Sequence, residues 1–413
     1  MRILMITTIY PSDPGASSYL TSELADAWQK AGHEVEVVVL QWAVAQASTP
    51  ASITFPTGVR VHYFYPPQVR LFGKISERLL RWGLSSWLRK RQVLDALETE
   101  SFDLVFTYSP LTAIASLASH FTGAGKAASC VYVVDFFPIA HRDIGLIPRG
   151  PIFDLAKWQE TRLLQRFDAI ACMSPANIAF LKAHYEILDS QTVFERMLWG
   201  QPPLASVRDR DAVRAQHGLD PKAKLALFGG QLVEGRGLDD IIGAARLAHQ
   251  AGSDVHFLVL GDGRLRDMVE QEATSGLSKL TYLPPIDRDS YLQLASACDV
   301  GLVVTVSNTT VPTFPSKSID YLRAGIPIAA ATEAGTDFVT FIEQHSVGRA
   351  TLAGDPAALL ACVESASRLP GTREQIRDRC WQVCENYLSV DRAAGEIIET
   401  LALVAERKAP ARA

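Results

Sequence analysis

The chain has 413 residues, of which 48% are hydrophobic and 21% charged, and its formal net charge at pH 7 is −5. These values exclude a disordered, collagen-like or disulfide-stapled chain, and the nearly balanced charge argues against a nucleic-acid partner. The length predicts two or three domains. The six cysteines lack zinc-site spacing, although Cys380 and Cys384 lie one helical turn apart, so a reducing cytoplasm is expected.

The N-terminal apolar run, residues 1–6, is far shorter than the roughly 20 residues that a membrane-spanning helix needs. No apolar stretch of that length occurs elsewhere in the sequence. The sequence therefore predicts a soluble or peripheral protein.

Short apolar runs alternate with amphipathic stretches along the chain. Strands are predicted at 2–6, 34–40, 60–65, 104–108, 131–134 and 169–172, and then at 225–228, 256–260, 280–283, 300–304 and 328–330. Helices are predicted at 18–32, 239–250, 265–275 and 377–404. Continuous apolar strands separated by helices indicate parallel sheets covered on both faces.

This pattern predicts an α/β protein with two Rossmann-like, doubly wound parallel-sheet domains. The run Gln201-Pro202-Pro203 and the charged residues after it mark the boundary. We predict an N-terminal domain over 1–202, a C-terminal domain over 203–376 and a helical tail over 377–413. The tail has no strand after it and is expected to pack back on the N-terminal domain.

Gly15 lies in the loop 7–16, between the first strand and the first helix. A glycine-bearing loop that leads into a helix suits an anion or a sugar, because free N–H groups and the helix dipole face the ligand. The loop lacks the G-x-G-x-x-G pattern, so a dinucleotide is not indicated. A plain strand–helix turn explains the same residues equally well.

The second domain opens with a glycine-rich segment, 227–237, in which Gly230 follows a strand and Arg236 can contact a phosphate through two N–H groups. Gly261 follows the next strand. Ligands bind at the carboxyl edge of such sheets. For Asp262 and Gly263 a simple turn is the alternative interpretation.

The segment 311–328 predicts a helix that Ser316 can cap and Gly325 can end. Its first-turn N–H groups and Lys317 form a phosphate site in principle. Asp320 lies about one turn further along, where a carboxylate can accept hydrogen bonds from ribose hydroxyls. A well-capped structural helix is the alternative.

Taken in order, these elements resemble the GT-B glycosyltransferases, specifically glycosyltransferase family 4, in the form seen in bacterial surface polysaccharide synthesis. The most specific match is the segment Pro-Ser-Lys…acid-Tyr-Leu-x-x-Gly-x-Pro, which ends at Pro327. The other matching segments are the Tyr10-Pro11…Gly15 loop, Gly32-His33-Glu34-Val35, 229–237, 260–263 and 295–300.

The resemblance implies a retaining hexosyltransferase with an inter-domain cleft. The donor, a nucleotide-diphosphate sugar with UDP favoured, would be held mainly by the C-terminal domain. A lipid-linked or oligosaccharide acceptor would be held by the N-terminal domain, at the inner face of the cell membrane. No cofactor and no metal are expected, because cations and helix-end N–H groups can stabilise the departing diphosphate. The Asp-x-Asp pairs at 209/211 and 287/289 are interpreted as solvated turn residues.

The resemblance also assigns residues, with some departures from the family pattern. Gln231 stands where the family has arginine, and Pro312 stands where the first acid of a paired acidic motif is expected. Asp135, in Val-Asp-Phe-Phe-Pro, resembles the Asp-x-Trp-Pro form of the subgroup, and His141 is a lesser candidate. The predicted catalytic residues are Asp135, Arg236 and Lys317, and the predicted donor-binding residues are Gly15, Gly230, Gln231, Arg236, Gly261, Ser316, Lys317, Ser318 and Asp320.

The segment 70–91 is basic and amphipathic, with seven lysines and arginines, a single acid, Glu77, and interleaved leucines and tryptophans. Such a helix suits an anionic membrane surface, where lipid-linked acceptors reside. The alternative is a helix whose apolar side packs on the first domain while its arginines are solvated.

Two other functions remain open from the sequence. A non-catalytic nucleotide-sugar-binding subunit is supported by Pro312 and Gln231, and a GT-B nucleotide-sugar epimerase would need no lipid acceptor. An NAD-dependent dehydrogenase is disfavoured, because neither domain begins with the dinucleotide pattern.

Backbone groups near Leu283-Pro284-Pro285 are expected to bind the nucleotide base of the donor.

Overall fold

The structure of the protein is a computed structural model that describes residues 1–12, 20–41, 50–65, 74–97, 101–123 and 126–408, with the backbone alone for 74–82. The described chain divides into two compact units. The first comprises residues 1–197 and 390–413, and the second comprises residues 198–389. The predicted Gly15 and residues 70–73 of the basic segment lie outside the described residues.

The first unit is built on a sheet of eight described strands in the order β3-β4-β2-β1-β5-β6-β7-β8. All neighbouring pairs are parallel except β3 with β4. The central strands are buried along nearly their whole length, because helices cover both faces. The strands are β1 Arg2–Thr7, β2 Glu34–Leu40, β3 Ala51–Thr54, β4 Arg60–Phe64, β5 Leu104–Tyr108, β6 Ala128–Val133, β7 Ala169–Cys172 and β8 Thr192–Glu195.

Helices connect these strands and cover the sheet. A short 3₁₀ helix, Leu111–Ile114, follows β5 directly. The α-helices are α1 Leu20–Lys30, α2 Lys74–Ala96, α3 Ala115–Phe121, α4 Ile139–Asp143, α5 Pro151–Leu164 and α6 Pro175–His184.

The second unit holds a fully parallel sheet of six described strands in the order β11-β10-β9-β12-β13-β14. Strand β9 lies between β10 and β12, so the strand order reverses at β9, and ligands bind at such a switch point in open α/β sheets. The strands are β9 Lys224–Gly229, β10 Val255–Leu260, β11 Leu280–Leu283, β12 Val300–Val304, β13 Ile328–Thr332 and β14 Gly348–Leu352.

The core of the second unit lies between this sheet and its helices. Phe228 and Phe257 from the strands pack with Ala245, Val269 and Val363 from the helices, and all five are fully buried. The helices are α7 Arg210–Gln216, α8 Leu238–Gln250, α9 Arg266–Thr274, α10 Arg288–Ala297, α11 Lys317–Arg323, α12 Phe338–Gln344, α13 Pro356–Ala366 and α14 Arg373–Tyr387. Two parallel-sheet α/β units confirm the predicted fold class.

The C-terminal region is divided between the two units. The predicted single helix over 377–404 is wrong, because the chain breaks near Leu388 into α14 and a second helix, α15 Val390–Lys408. Helix α14 belongs to the second unit, where Trp381 Nε1 donates to the carbonyl of Arg323 at 3.0 Å. Helix α15 belongs to the first unit, where Trp28 Nε1 donates to the carbonyl of Ala394 at 3.1 Å.

The two Asp-x-Asp pairs are exposed to solvent, as predicted, but they lie at helix starts and not in turns. Asp209 and Asp287 are N-cap residues of α7 and α10, and each carboxylate accepts a backbone N–H three residues later. Asp211 and Asp289 lie in the first helical turn, where negative charge is favourable. Of the helices described here, none is both long and apolar enough to cross a bilayer.

Candidate active site

The carboxyl end of β9 bears the glycine-rich turn of the second unit. Gly230 has φ +139° and Gly261, which follows the neighbouring strand β10, has φ +151°. These angles lie in the region that favours glycine. A Cβ atom on Gly230 would collide with Lys317 Nζ, and one on Gly261 would collide with the carbonyl oxygen of Gly230. The glycines therefore let two strand-end turns and a lysine approach each other closely.

Lys317 is the cation at this corner. Its Nζ donates to the carbonyl of Gly229 at 2.6 Å and lies 4.1 Å from the centre of the Phe228 ring. Burial and the neighbouring Arg236 lower the pKa of Lys317 to about 7, against the opposing effect of Asp320. Arg236 is itself exposed. The corner thus concentrates positive charge beside a strand end, an arrangement that suits a polyanion such as a diphosphate.

Asp320 lies one turn into α11, as predicted, but its carboxylate is already engaged. Arg288 binds it through both terminal nitrogens, with 2.7 Å between Nη1 and Oδ2. Each carboxylate oxygen has a second acceptor position, so Asp320 keeps the capacity to accept from a hydroxyl. Arg288 fixes the orientation of the carboxylate and was not identified from the sequence.

The capping role predicted for Ser316 at the start of α11 is wrong, and the donor-binding role predicted for Ser316 and Ser318 stays a prediction. Ser316 stands at the N-cap position, but its backbone is helical and its side chain makes no capping hydrogen bond. Ser318 is fully buried, and its hydroxyl donates to the carbonyl of Pro315 at 2.7 Å. Its backbone N–H also bonds to Pro315, so the side chain shapes the turn.

A buried carboxylate, Glu333, holds the loop that precedes α11. It accepts from the backbone N–H of Thr313 at 2.6 Å, from the Thr313 hydroxyl at 2.7 Å and from Thr305 at 3.0 Å. Pro312, which replaces the expected first acid, is buried in this loop. The sequence signal for Glu333 was an acid directly after an apolar strand. Gln231, the remaining predicted donor residue, is exposed.

In the first unit, Asp135 follows β6. Its side chain is 35% exposed, and its Oδ2 lies 3.7 Å from His141 Nδ1. Burial raises the pKa of Asp135 above its usual value, and His141 opposes the rise. The backbone around it is fixed by Ser109, whose hydroxyl donates to the Asp135 carbonyl at 2.8 Å. The structure therefore brings both first-unit candidates, Asp135 and His141, together.

A second acid, Glu160, lies nearby and was missed from the sequence. It accepts from the backbone N–H of Leu111 at 2.6 Å and from both N–H and hydroxyl of Thr112, at 3.0 and 2.8 Å. Burial raises the pKa of Glu160 to about 7, with a further contribution from Asp135. Glu160 and Asp135 line one small cavity with Tyr185. Two carboxylates, one after β6 and one on α5, thus line the same cavity.

Helix α2 contains the described part of the basic segment. Over 83–88 the apolar side chains point outward: Trp87 is 66% exposed, Leu88 44% and Leu84 42%. Ser85 and Ser86 are buried instead. In this part of the helix the alternative, an apolar side packed on the first unit, is therefore wrong.

The described residues contain no group of three or more histidine, cysteine or acidic side chains placed to hold a metal ion. All six cysteines are buried free thiols. Positive charge at the candidate donor site comes from Lys317 and Arg236.

Two parallel-sheet units, with a cationic corner at the switch point of the second, have the architecture expected of the GT-B fold. A Glycosyl transferase 4-like domain matches residues 15–186, and a Glycosyl transferases group 1 domain matches residues 209–380. The chain belongs to this glycosyltransferase family, of the family 4 type, which confirms the resemblance drawn from the sequence.

Relatives with this fold are distant in sequence. WcaI of Escherichia coli (strain K12), named as a colanic acid biosynthesis glycosyl transferase, is 26% identical over 87% of this chain and 92% of its own. A GDP-mannose-dependent alpha-(1-6)-phosphatidylinositol dimannoside mannosyltransferase of Mycobacterium tuberculosis (strain ATCC 25177 / H37Ra) is 24% identical over 63% of this chain and 64% of its own. The solved structure of Anabaena HepE in complex with UDP is 17% identical, with a TM-score of 0.66 over 98% of this chain and 100% of that one.

Proposed function

We propose that the protein transfers a hexosyl group, with retention of configuration, from a nucleotide-diphosphate sugar to a lipid-linked acceptor in surface polysaccharide synthesis. The observation that carries the proposal is the corner at Gly229 and Gly230, where Lys317 contacts the strand end and Arg236 adds a second cation. The complex of HepE with UDP supports a nucleotide diphosphate as the donor's leaving group.

Lys317 and Arg236 are assigned to the diphosphate. Negative charge grows on this group as the bond from sugar to phosphate breaks, and fixed cations lower the free energy of that transition state. Because these cations are part of the chain, the proposed reaction proceeds without a divalent metal. Activity is therefore expected to survive EDTA, and abolition by EDTA with restoration by magnesium or manganese would contradict this part.

Asp320 is assigned to the ribose. Arg288 holds its carboxylate in one orientation, and the free acceptor positions suit two adjacent hydroxyls. UDP, GDP and ADP all carry a ribose with two adjacent hydroxyls, so this contact does not select among their bases. UDP is the favoured nucleotide, because HepE is solved in complex with it. The mycobacterial relative is instead named as GDP-mannose-dependent.

Asp135 is assigned to the reacting sugar. Its partly buried carboxylate at the end of β6 suits the stabilisation of positive charge that develops on the anomeric carbon. The imidazole of His141 lies beside this carboxylate, with Nδ1 3.7 Å from Oδ2. Retention is tested directly by proton NMR of the product, whose anomeric coupling must match that of the donor. An inverted product would contradict the assignment.

The acceptor is the least constrained substrate. The names of WcaI and of the mycobacterial mannosyltransferase refer to a surface polysaccharide and to a phosphatidylinositol lipid. The outward-facing Trp87, Leu84 and Leu88 of α2 support a protein that works against a membrane. We therefore place the proposed reaction at the inner face of the cell membrane.

The experiment that tests the proposal is a thermal-shift panel of UDP, GDP, ADP, TDP and their sugars, followed by a transfer assay with the best donor. A true ligand stabilises the folded state by mass action, so one base is expected to give the largest rise in melting temperature. If none of these nucleotides raises the melting temperature, the proposal is overturned.

Pro312 in place of the expected acid also fits a non-catalytic nucleotide-sugar-binding subunit. In that case the donor would stabilise the protein but would be neither hydrolysed nor transferred. An epimerase would instead change the sugar of the donor with no acceptor present, which product analysis by NMR detects.

A further inference from the structure

Helix α5 has an outward apolar face of its own. Ile152, Leu155 and Trp158 are 57%, 62% and 59% exposed, at successive spacings of three residues. Its buried side is formed by Phe153 and Leu163, together with the acid Glu160. An exposed apolar patch of this kind in a soluble unit marks an interaction site.

The outward faces of α2 and α5 meet at one groove. This open groove of about 590 Å³ is lined by Leu84 and Trp87 from α2, by Trp158 from α5, and by Ser116 and Ser119 from α3. Two tryptophans from different helices therefore border one surface depression. Tryptophan is enriched at membrane–water interfaces, where its ring lies in the apolar layer and its N–H stays hydrated.

The charge around the groove is mainly positive. Arg162 and Arg166 line it, and both are exposed. On the α2 side Arg91 is exposed and lies one helical turn beyond Trp87 and Leu88. The exposed acids on the described parts of these helices are Asp154 on α5 and Asp95 on α2. Arginines beside exposed tryptophans and leucines are complementary to anionic lipid headgroups above an acyl layer.

We propose that α2 and α5 together form a docking surface for an anionic bilayer, with the groove between Trp87 and Trp158 receiving lipid hydrocarbon chains and Arg162 and Arg166 contacting lipid phosphates. This inference rests on the proposed function in that it names the surface from which a lipid-linked acceptor would be taken. It extends the basic segment 70–91 to a second helix that the sequence did not single out.

The test is flotation of the full chain with vesicles of equal parts phosphatidylglycerol and phosphatidylcholine, compared with pure phosphatidylcholine. The triple variant Ile152→Ser, Leu155→Ser, Trp158→Ser is expected to lose at least tenfold in affinity for anionic vesicles. The matched control is Leu277→Ser, Leu352→Ser, since both leucines are 62% exposed, like Leu155, but lie in the second unit. The control is expected to bind as the wild type does.

Two further readouts keep the proposal falsifiable. Bilayers with brominated lipid are expected to quench the fluorescence of Trp158, so Trp158→Phe should show less quenching while its vesicle affinity stays within a few fold. Raising the salt from about 50 mM to about 500 mM should weaken binding, because the Debye length falls well below 10 Å. Equal binding of triple variant and wild type, or equal binding to neutral and anionic vesicles, would overturn the proposal.

The apolar face also has the chemistry of a self-association surface. If sedimentation without lipid shows a wild-type dimer that the triple variant abolishes, the occupant is a second copy and the membrane proposal fails. The failure of the proposed function has a different signature. In that case the nucleotide thermal shift is lost while vesicle binding persists, whereas failure of the docking proposal leaves nucleotide binding intact.

Discussion

The two strand-end sites of the molecule differ in the sign of their charge. In the second unit the end of β9 carries Lys317, whose pKa is lowered to about 7. In the first unit the region around the end of β6 carries Glu160, whose pKa is raised to about 7. Burial is the largest cause in both cases, because it disfavours whichever form is charged. Burial thus brings the pKa of a lysine in one unit and the pKa of a glutamic acid in the other close to neutral pH.

The two groups are also held differently. Within the part of the chain that the structure describes, Lys317 donates to one carbonyl, that of Gly229, and its Nζ lies over the Phe228 ring, so it has N–H groups left for a ligand. Glu160 accepts three hydrogen bonds from Leu111 and Thr112, so its acceptor positions are largely used within the protein. This difference supports the proposed assignment of Lys317 to a ligand, whereas Glu160 holds the start of the 3₁₀ helix beside Asp135.

The largest expected effect is at Asp135, the carboxylate assigned to the reacting sugar. Asp135→Asn keeps the shape but removes the negative charge, and kcat is expected to fall by on the order of 10²–10³. The affinity for the nucleotide should stay unchanged, since the diphosphate is assigned to the second unit. Steady-state kinetics with Asp189→Asn, an exposed acid of the same unit, as the control tests this. A kcat within twofold of wild type would remove Asp135 from the mechanism.

Lys317→Ala and Arg236→Ala probe the cationic site. A charge-assisted hydrogen bond to phosphate contributes about 1.5–3 kcal/mol, so each variant should bind the nucleotide diphosphate roughly tenfold to a hundredfold more weakly. Calorimetry measures the change, and Lys222→Ala is a control at an exposed lysine of the same unit. Wild-type affinity in both variants, with the fold intact, would refute the diphosphate assignment.

The pH dependence of donor binding sharpens the same point. With its pKa lowered to about 7, free Lys317 is charged below pH 7 and loses its proton above it. The diphosphate favours the charged form, so affinity for the nucleotide sugar should decline above pH 7 by up to tenfold per pH unit. Lys317→Arg stays charged and should flatten the profile. A flat wild-type profile between pH 6 and 9 would argue against this role.

Glu160 is expected to produce a pH dependence of stability. Since its folded-state pKa is raised above the unfolded value, the native state retains the proton longer. The free energy of unfolding should therefore fall between pH 4.5 and about 7, by up to about 1.4 kcal/mol per pH unit, and level off above. Glu160→Gln should remove this slope in urea titrations, whereas Glu186→Gln at an exposed position should keep it. An unchanged slope in Glu160→Gln would show that another group titrates.

The smallest expected effect is at Asp320. Asp320→Asn keeps the shape but reduces the acceptor capacity toward ribose hydroxyls and weakens the pairing with Arg288. Nucleoside diphosphate affinity should fall a few fold, while affinity for pyrophosphate should be unaffected. Equal losses for both ligands in calorimetry would assign Asp320 to the phosphates instead.

Much of the fold was predictable because its central strands are continuous apolar runs. Strands β2, β5, β7, β11 and β12 have the predicted bounds. The strands that were missed, β3, β8 and β14, lie at sheet edges and are partly exposed, so they lack an apolar run. The break between α14 and α15 was missed because neither glycine nor proline marks it. The start of α14 did carry a signal, since Thr372 and Gln375 form a capping box.

The site was predictable where one local segment supplies its residues. Lys317 and Asp320 lie in a recognisable motif, and Gly230 and Arg236 in another. The residues that the sequence missed come from distant positions: Arg288 lies 32 residues before its partner Asp320, and in the first unit Glu160 lies 49 residues after its partner Leu111. No local pattern marks such pairs. The capping role of Ser316 was wrong, because its backbone is helical and its side chain makes no capping hydrogen bond.

The return of α15 to the first unit affects the order in which the protein is completed during translation. The second unit, residues 198–389, is one uninterrupted stretch and is fully synthesised before α15 emerges. The first unit lacks the carbonyl of Ala394 for Trp28 and the carboxylate of Glu396 for Arg196 until α15 has left the ribosome. A stop codon after residue 389 would spare the second unit and leave the first incomplete. Expression of the first unit alone therefore requires residues 1–197 to be joined by a linker to 390–413, whereas the second needs only simple truncation.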